Sequence, residues 1–156
     1  MTFDRNAFRD LDPGQKTLMG PGPSDVHPRV LQALSAPCIG HLDPRFLSIM
    51  DETQRLLRFL FQTENHLTIP VSGTGSAGME ACFVNLVEPG DEVVVCLNGV
   101  FGTRMADIVN RLQGTLIRVD AEWGRAVDPD AVRKAVQGRS PKVLAMVHAE
   151  TSTGAC

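Results

Sequence analysis

No apolar stretch in the sequence approaches the length of a transmembrane span. The first fifteen residues, MTFDRNAFRDLDPGQ, are charged where a secretory leader needs an apolar core, so no secretory address is expected. Basic residues are scattered, with no run of them and no interleaved aromatics, and the formal net charge is -3. That pattern gives neither nucleic acid nor an anionic membrane a surface to hold. Four cysteines, Cys38, Cys82, Cys96 and Cys156, form no CxxC pair. Cys82 and Cys96 fall inside apolar patterns, so buried, reduced thiols of a cytosolic protein are expected rather than disulfides or zinc. His27, His41, His66 and His148 make no ligand pair such as HxxxH, and a metal site has no support. Internal repeats, low-complexity tracts and interdomain linkers are also missing.

What remains is a chain of 156 residues, 43% apolar, long enough to bury a real core. Residues 1–16 read as a loosely ordered arm. MGPGPSDVHP, from Met19, is punctuated by proline and glycine and is neither helix nor central strand. RVLQAL makes a short helix before Pro37. A long helix is expected from Asp43, a candidate N-cap with Pro44 at the first helical position. Phe46, Ile49, Met50, Thr53, Leu57, Leu60 and Phe61 recur at three- and four-residue spacing there, as one packing stripe.

From Leu67 the pattern alternates strands and helices. LTIPV reads as a short strand or strand-like segment, weakened by Pro70. A helix follows from about Ala77 to Val87, burying Met79, Phe83 and Leu86. EVVVCL is a continuous β-branched run, as in a strand covered on both faces. A helix from about Thr103 to Leu112, the strand TLIRV, the helix DPDAVRKAV and the strand KVLAMVH complete the series. This order implies an α/β fold with a mostly parallel sheet and right-handed crossovers. Ligands then bind beyond the carboxyl ends of the strands, on the loops after Val71, Leu97, Val119 and Val147.

The first of those loops is VSGTGSAGMEA, with Gly73, Gly75 and Gly78 in eight residues. Taken literally it satisfies GxGxxG, the dinucleotide fingerprint. That fingerprint needs an acid at the end of the next strand to hold a ribose, and EVVVCL ends in Asn98. A single phosphate monoester makes no such demand. Thr74, Gly75 and Ser76 at a helix N-terminus offer unpaired N–H groups, a favourable dipole and two hydroxyls to one dianion. Pyridoxal 5'-phosphate (PLP) fits that description. A turn that merely tightens helix packing is the alternative without a ligand.

Five segments in order, GPGPSDVHPRV, IGHLDPRFLSIMDETQ, FQTENHLTIPVSGTGSAGMEA, VEPGDEVVVCLNGVFGTRMADI and HAETSTG, resemble the class V aminotransferases among the fold-type I PLP enzymes. Within them the resemblance is to the alanine–glyoxylate (serine–pyruvate) type. It covers about residues 17–154. The resemblance implies a three-layer αβα PLP-transferase large domain, present here in part. Residues 1–42 would be an N-terminal arm with substrate-side loops, and 43–156 an incomplete PLP-binding domain. The phosphate-binding turn maps onto Thr74, Gly75 and Ser76, with Ser72 and Gly73 shaping it. Phe101 stands where the family places an aromatic over the pyridine ring, and a phenyl ring can stack there with less contact area than tryptophan. Thr151 maps onto the hydroxyl that hydrogen-bonds the cofactor. His148 stays outside the catalytic set, and Glu150 is read as satisfying nearby backbone donors or ordering its loop. Pro21, Gly22 and Gly40 are candidate substrate-loop positions.

The resemblance also implies residues that have no match here. These are a lysine that binds the cofactor covalently and shuttles a proton, an aspartate for the pyridine nitrogen, and an arginine for the substrate carboxylate. Lys16, Lys134 and Lys142 do not fit the first role, so no catalytic residue is assigned, and all three groups are expected beyond Cys156. The implied activity is transfer of an amino group from alanine or serine to glyoxylate or pyruvate by a homodimer, with the cytoplasmic location taken as the default. Serine–glyoxylate or phosphonate transamination, a nicotinamide-dependent oxidoreductase and a catalytically silent PLP-fold module remain as alternatives. A desulfurase finds no cysteine in a matching motif.

Overall fold

A computed structural model describes residues 12–156, in two units that divide between Cys38 and Ile39. Most of the arm expected over residues 1–16 lies outside the described residues. Within the first unit the chain bends at residues 20–23 and then forms α1 (Pro28–Leu34). Pro28 opens that helix, and the His27 ring accepts the Arg29 N–H at 3.1 Å.

The second unit starts with α2 (Pro44–Phe61). As expected, Asp43 caps it, accepting the Arg45 N–H at 2.7 Å, with Pro44 in the first turn. Gln62 ends it in the left-handed region (φ 50°). Arg58 then reaches the carbonyls of Asn65 and His66 at 3.0 and 2.7 Å and sets the direction of the departing chain. The apolar stripe of α2 is half-buried at best, and Leu60 and Phe61 are exposed.

After α2 come α3 (Gly75–Leu86), β1 (Glu92–Leu97), α4 (Val100–Arg111), β2 (Thr115–Asp120), α5 (Pro129–Val136) and β3 (Val143–Ala145). The strands form one parallel sheet in the order β2-β1-β3. Central β1 explains the layering. Val93, Val95 and Leu97 face Phe83 and Val87 near α3 and Met105, Ile108 and Val109 of α4. Val94 and Cys96 face Val119 and the Ala131, Val132, Ala135 and Val136 side of α5. A strand buried on both faces is what a run of β-branched residues predicts. The result is helices, sheet, helix: the expected α/β fold with a parallel sheet, present as part of a domain.

Several local expectations are corrected. Residues 67–71 are not a strand; Pro70 has no N–H to give a ladder. Leu86 and Cys82 are exposed, because the face of α3 that packs is carried by Phe83 and Met79. β3 stops at Ala145, short of His148, which is exposed. The last correction, the start of α4 at Val100 rather than Thr103, has a cause outside the helix itself. Among the described residues no helix is long and apolar enough to cross a membrane.

Candidate functional site

Two helix N-termini meet beyond the carboxyl end of β1. The first belongs to α3. Gly73 lets the chain turn into it: its φ is +158°, and an added Cβ would stand 3.0 Å from that of Ala77. Thr74 is the N-cap, its hydroxyl accepting the Ala77 N–H at 3.3 Å and its carbonyl the Gly78 N–H at 3.2 Å. The N–H groups of Gly75 and Ser76 have no partner among the described residues. They are the free donors that a helix start leaves over.

Facing this turn is Phe101, in the first turn of α4. Thr74, Gly75, Ser76, Met79 and Phe101 together line a concavity of about 320 Å³. That volume lies at the small end of the roughly 300–1,000 Å³ usual for small-molecule sites. Arg104, one turn after Phe101, contacts two of these lining residues. Its guanidinium donates to the Ser76 hydroxyl, and its central carbon lies 5.6 Å from the Phe101 ring centroid, within cation–π range. Free amides, hydroxyls, a guanidinium and an aromatic face thus converge on one side of the sheet.

The loop after β3 supports this wall from behind. Glu150 is buried, and its carboxylate accepts the N–H groups of Phe101 and Gly102. Thr153 reaches the Asn98 carbonyl at 3.2 Å, and the Asn98 amide donates to the Arg125 carbonyl at 3.1 Å.

Of the sequence-derived candidates, Thr74, Gly75, Ser76 and Phe101 come together in the concavity. Thr151 is exposed in the loop between Glu150 and the bridge to Ala155, and it does not line that space. Gly40, also exposed, accepts the Asp43 N–H at 3.0 Å ahead of α2 and lies outside the lining as well. Pro21 and Gly22 are exposed in the bend of the first unit. Sequence reasoning missed Arg104; its spacing of three from Phe101, which shares a helix face, was the available signal.

The three lysines stand elsewhere. Lys134 is exposed on α5, and Lys16 belongs to the first unit. Lys142 pairs with Asp91 at 2.7 Å at the amino edge of the sheet, opposite the concavity. The dinucleotide reading loses a second support here. Its third glycine exists for close helix packing, yet a Cβ on Gly78 would meet nothing within 4 Å.

No family model matches the chain. It is 42% identical over 146 residues to the (S)-ureidoglycine–glyoxylate transaminase of Bacillus subtilis, covering 94% of this chain and 35% of that protein. Against the alanine–glyoxylate aminotransferase of Drosophila melanogaster the identity is 42% over 146 residues, covering 94% and 37%. The crystal structure of alanine–glyoxylate aminotransferase from Nostoc sp. superposes with a TM-score of 0.83 at 46% identity, over 99% of this chain and 42% of that one. The chain therefore spans little more than a third of the length of these curated relatives. Sequence and fold agree over nearly all of it: the chain is similar in both to part of these glyoxylate aminotransferases.

Proposed function

We propose that the whole protein is a PLP-dependent transaminase that moves an amino group from alanine or serine to glyoxylate or pyruvate. One observation carries the reading: two unpartnered amides, at Gly75 and Ser76, share a concavity with the ring of Phe101. A phosphate monoester fits the amides, and a flat heterocycle fits the ring. When bound, the cofactor supplies the carbonyl that takes up the amino group and the electron sink for bond changes at the substrate carbon.

This chain's residues do the holding. The Gly75 and Ser76 amides and the Thr74 and Ser76 hydroxyls receive the phosphate, with the Arg104 guanidinium beside them as a counter-charge. Phe101 covers one ring face, and Thr151 serves the polar edge. Pro21, Gly22 and Gly40 belong to substrate-side loops, in a division with an arm over 1–42 and a partial large domain over 43–156. Fixing the cofactor in this way directs which substrate bond is activated. Within this chain no residue is assigned to the covalent and proton-transfer steps; a lysine in the part of the relatives' length not spanned here takes them. A cytoplasmic homodimer completes the proposal. The (S)-ureidoglycine–glyoxylate relative, as similar as the alanine–glyoxylate one, makes ureidoglycine a third donor to test.

The test titrates PLP into the full-length protein, followed by absorbance, and then supplies alanine, serine or (S)-ureidoglycine with glyoxylate while glycine formation is measured. A saturable spectral change and donor-dependent glycine formation are expected. A response to NAD but not to PLP, or PLP uptake with no transfer from any donor, would overturn the proposal.

A further inference from the structure

The first turn of α4 has no cap of its own. Its N-cap residue is Gly99, which has no side chain to accept a hydrogen bond, so the N–H groups of Val100, Phe101 and Gly102 would be orphaned. All three are satisfied from the loop after β3, far along the sequence. Val100 donates to the Ser152 hydroxyl at 3.0 Å, and Phe101 and Gly102 donate to one Glu150 oxygen at 3.1 and 3.2 Å. The other Glu150 oxygen accepts the Ser152 hydroxyl at 2.5 Å.

Glu150 is 0% exposed and pairs with no lysine or arginine among the described residues. Its compensation is the positive end of α4, delivered through those amides. The fit leaves no slack. A Cβ on Gly99 would stand 2.4 and 2.5 Å from the Glu150 Cγ and Cδ, so the remote cap excludes a local one. On the other side, a Cβ on Gly102 would stand 2.8 Å from the Cys96 carbonyl oxygen. Phe101 lies between these two crowded glycines, its backbone pressed between the end of β1 and a buried carboxylate.

We infer that Glu150 is a positioning residue for the cofactor site, fixing the Phe101 ring opposite the Thr74–Ser76 turn through the backbone N–H groups of α4. Because Thr151 follows Glu150 directly, the same carboxylate ties the residue of the ring face to that of the ring edge. The inference rests on the proposed PLP reading for what the ring covers; the hold on the turn stands without it.

The variants are Glu150→Ala, Glu150→Gln and Ser152→Ala in the full-length protein. Glutamine keeps the shape and one carbonyl oxygen for Phe101 and Gly102, but its amide nitrogen must then face the Ser152 hydroxyl, which has to accept instead of donate. Glutamine is therefore the partial rescue, and it also serves if the alanine variant does not fold.

The first measurement is amide hydrogen exchange without cofactor. Exchange over residues 100–102 rises roughly tenfold or more in Glu150→Ala and less in Glu150→Gln, while residues 77–79 of α3 stay unchanged. The second is the affinity for PLP and the circular dichroism of its absorption band, which reports how the ring is seated. PLP binding weakens about tenfold and the band changes sign or amplitude, whereas competition by inorganic phosphate at the α3 turn stays within about twofold. Unchanged exchange at 100–102, or faster exchange with PLP affinity and dichroism both unaltered, would overturn the inference. If the wild-type protein takes up no PLP, the functional reading fails and the cofactor role with it, and the exchange data still decide whether Glu150 holds the turn.

Discussion

The turn into α3 and the turn into α4 are built from similar material and used in opposite ways. Each brings glycines to a helix N-terminus on the same side of the structure, and each presents backbone donors that need an anion or an acceptor. At α3 the cap is local: Thr74 takes the Ala77 N–H, and the Gly75 and Ser76 amides stay open. At α4 the cap comes from Glu150 and Ser152, and no donor of the first turn is left over. One turn holds its own carboxylate, and the other keeps a place for a ligand's charge. The difference also separates two kinds of glycine. A Cβ on Gly75 meets nothing within 4 Å, whereas one on Gly99 runs into Glu150.

That contrast breaks most visibly under a single methyl group. Gly99→Ala must displace Glu150 or unwind the first turn of α4, so it should cost about 1–3 kcal/mol of stability or more, as overpacked interiors do. Gly75→Ala should leave stability within about 0.5 kcal/mol. Denaturant unfolding of the two variants checks this, and equal effects would remove the distinction between the turns. Thr74→Ala is the next step down. Loss of an N-cap hydroxyl costs about 1 kcal/mol, and Thr74→Ser should restore most of it. In the same variant PLP binding should weaken as well, because the turn that receives the phosphate loosens. A Thr74→Ala protein with normal PLP affinity would place the phosphate elsewhere.

The two turns also differ in how far they could be read from sequence. The α3 turn was legible because its parts are contiguous: a glycine run, a hydroxyl residue and a helix-forming segment within a few positions. The same locality exposed α2 and α5, where Asp43 and Asp128 cap helices opened by proline. β1 was legible because β-branched residues in an unbroken run demand cover on both faces. The start of α4 was not, since its cap lies about fifty positions away and Gly99 carries no capping signal of its own. Glu150 reads as satisfying nearby backbone donors or ordering its loop, and the sequence does not show that the donors it takes open α4. Residues 67–71 show the converse error: a short apolar segment, already weakened by Pro70, reads as strand or strand-like, but a strand needs a partner and donors, and Pro70 supplies no N–H. The resemblance to the aminotransferases was readable from motifs in order, while the arrangement of Arg104 over Phe101 required the helix to be built.

The smallest effect comes from the opposite end of the sheet and serves as the control for both turns. Asp91 and Lys142 pair at 2.7 Å where β1 and β3 begin. The hydrogen bond from Lys142, and then the N–H of Glu88, hold the Asp91 carboxyl below its ordinary value of 3.8, and the same bond raises Lys142 above 10.5. The signs follow from linkage. Asp91's contribution is whole above the ordinary carboxylate value and is lost as pH falls through the depressed one. Lys142's is whole below the ordinary lysine value and is lost as pH rises through the raised one. Both contributions are therefore intact around neutrality, and both groups are exposed enough for salt to weaken them. Asp91→Asn should flatten the acid limb of a stability–pH profile slightly, with less effect at high salt, and leave PLP titration at pH 7 untouched. A change in cofactor affinity in that variant would mean that the amino edge of the sheet communicates with the turns beyond its carboxyl end, and the separation between them argued above would not hold.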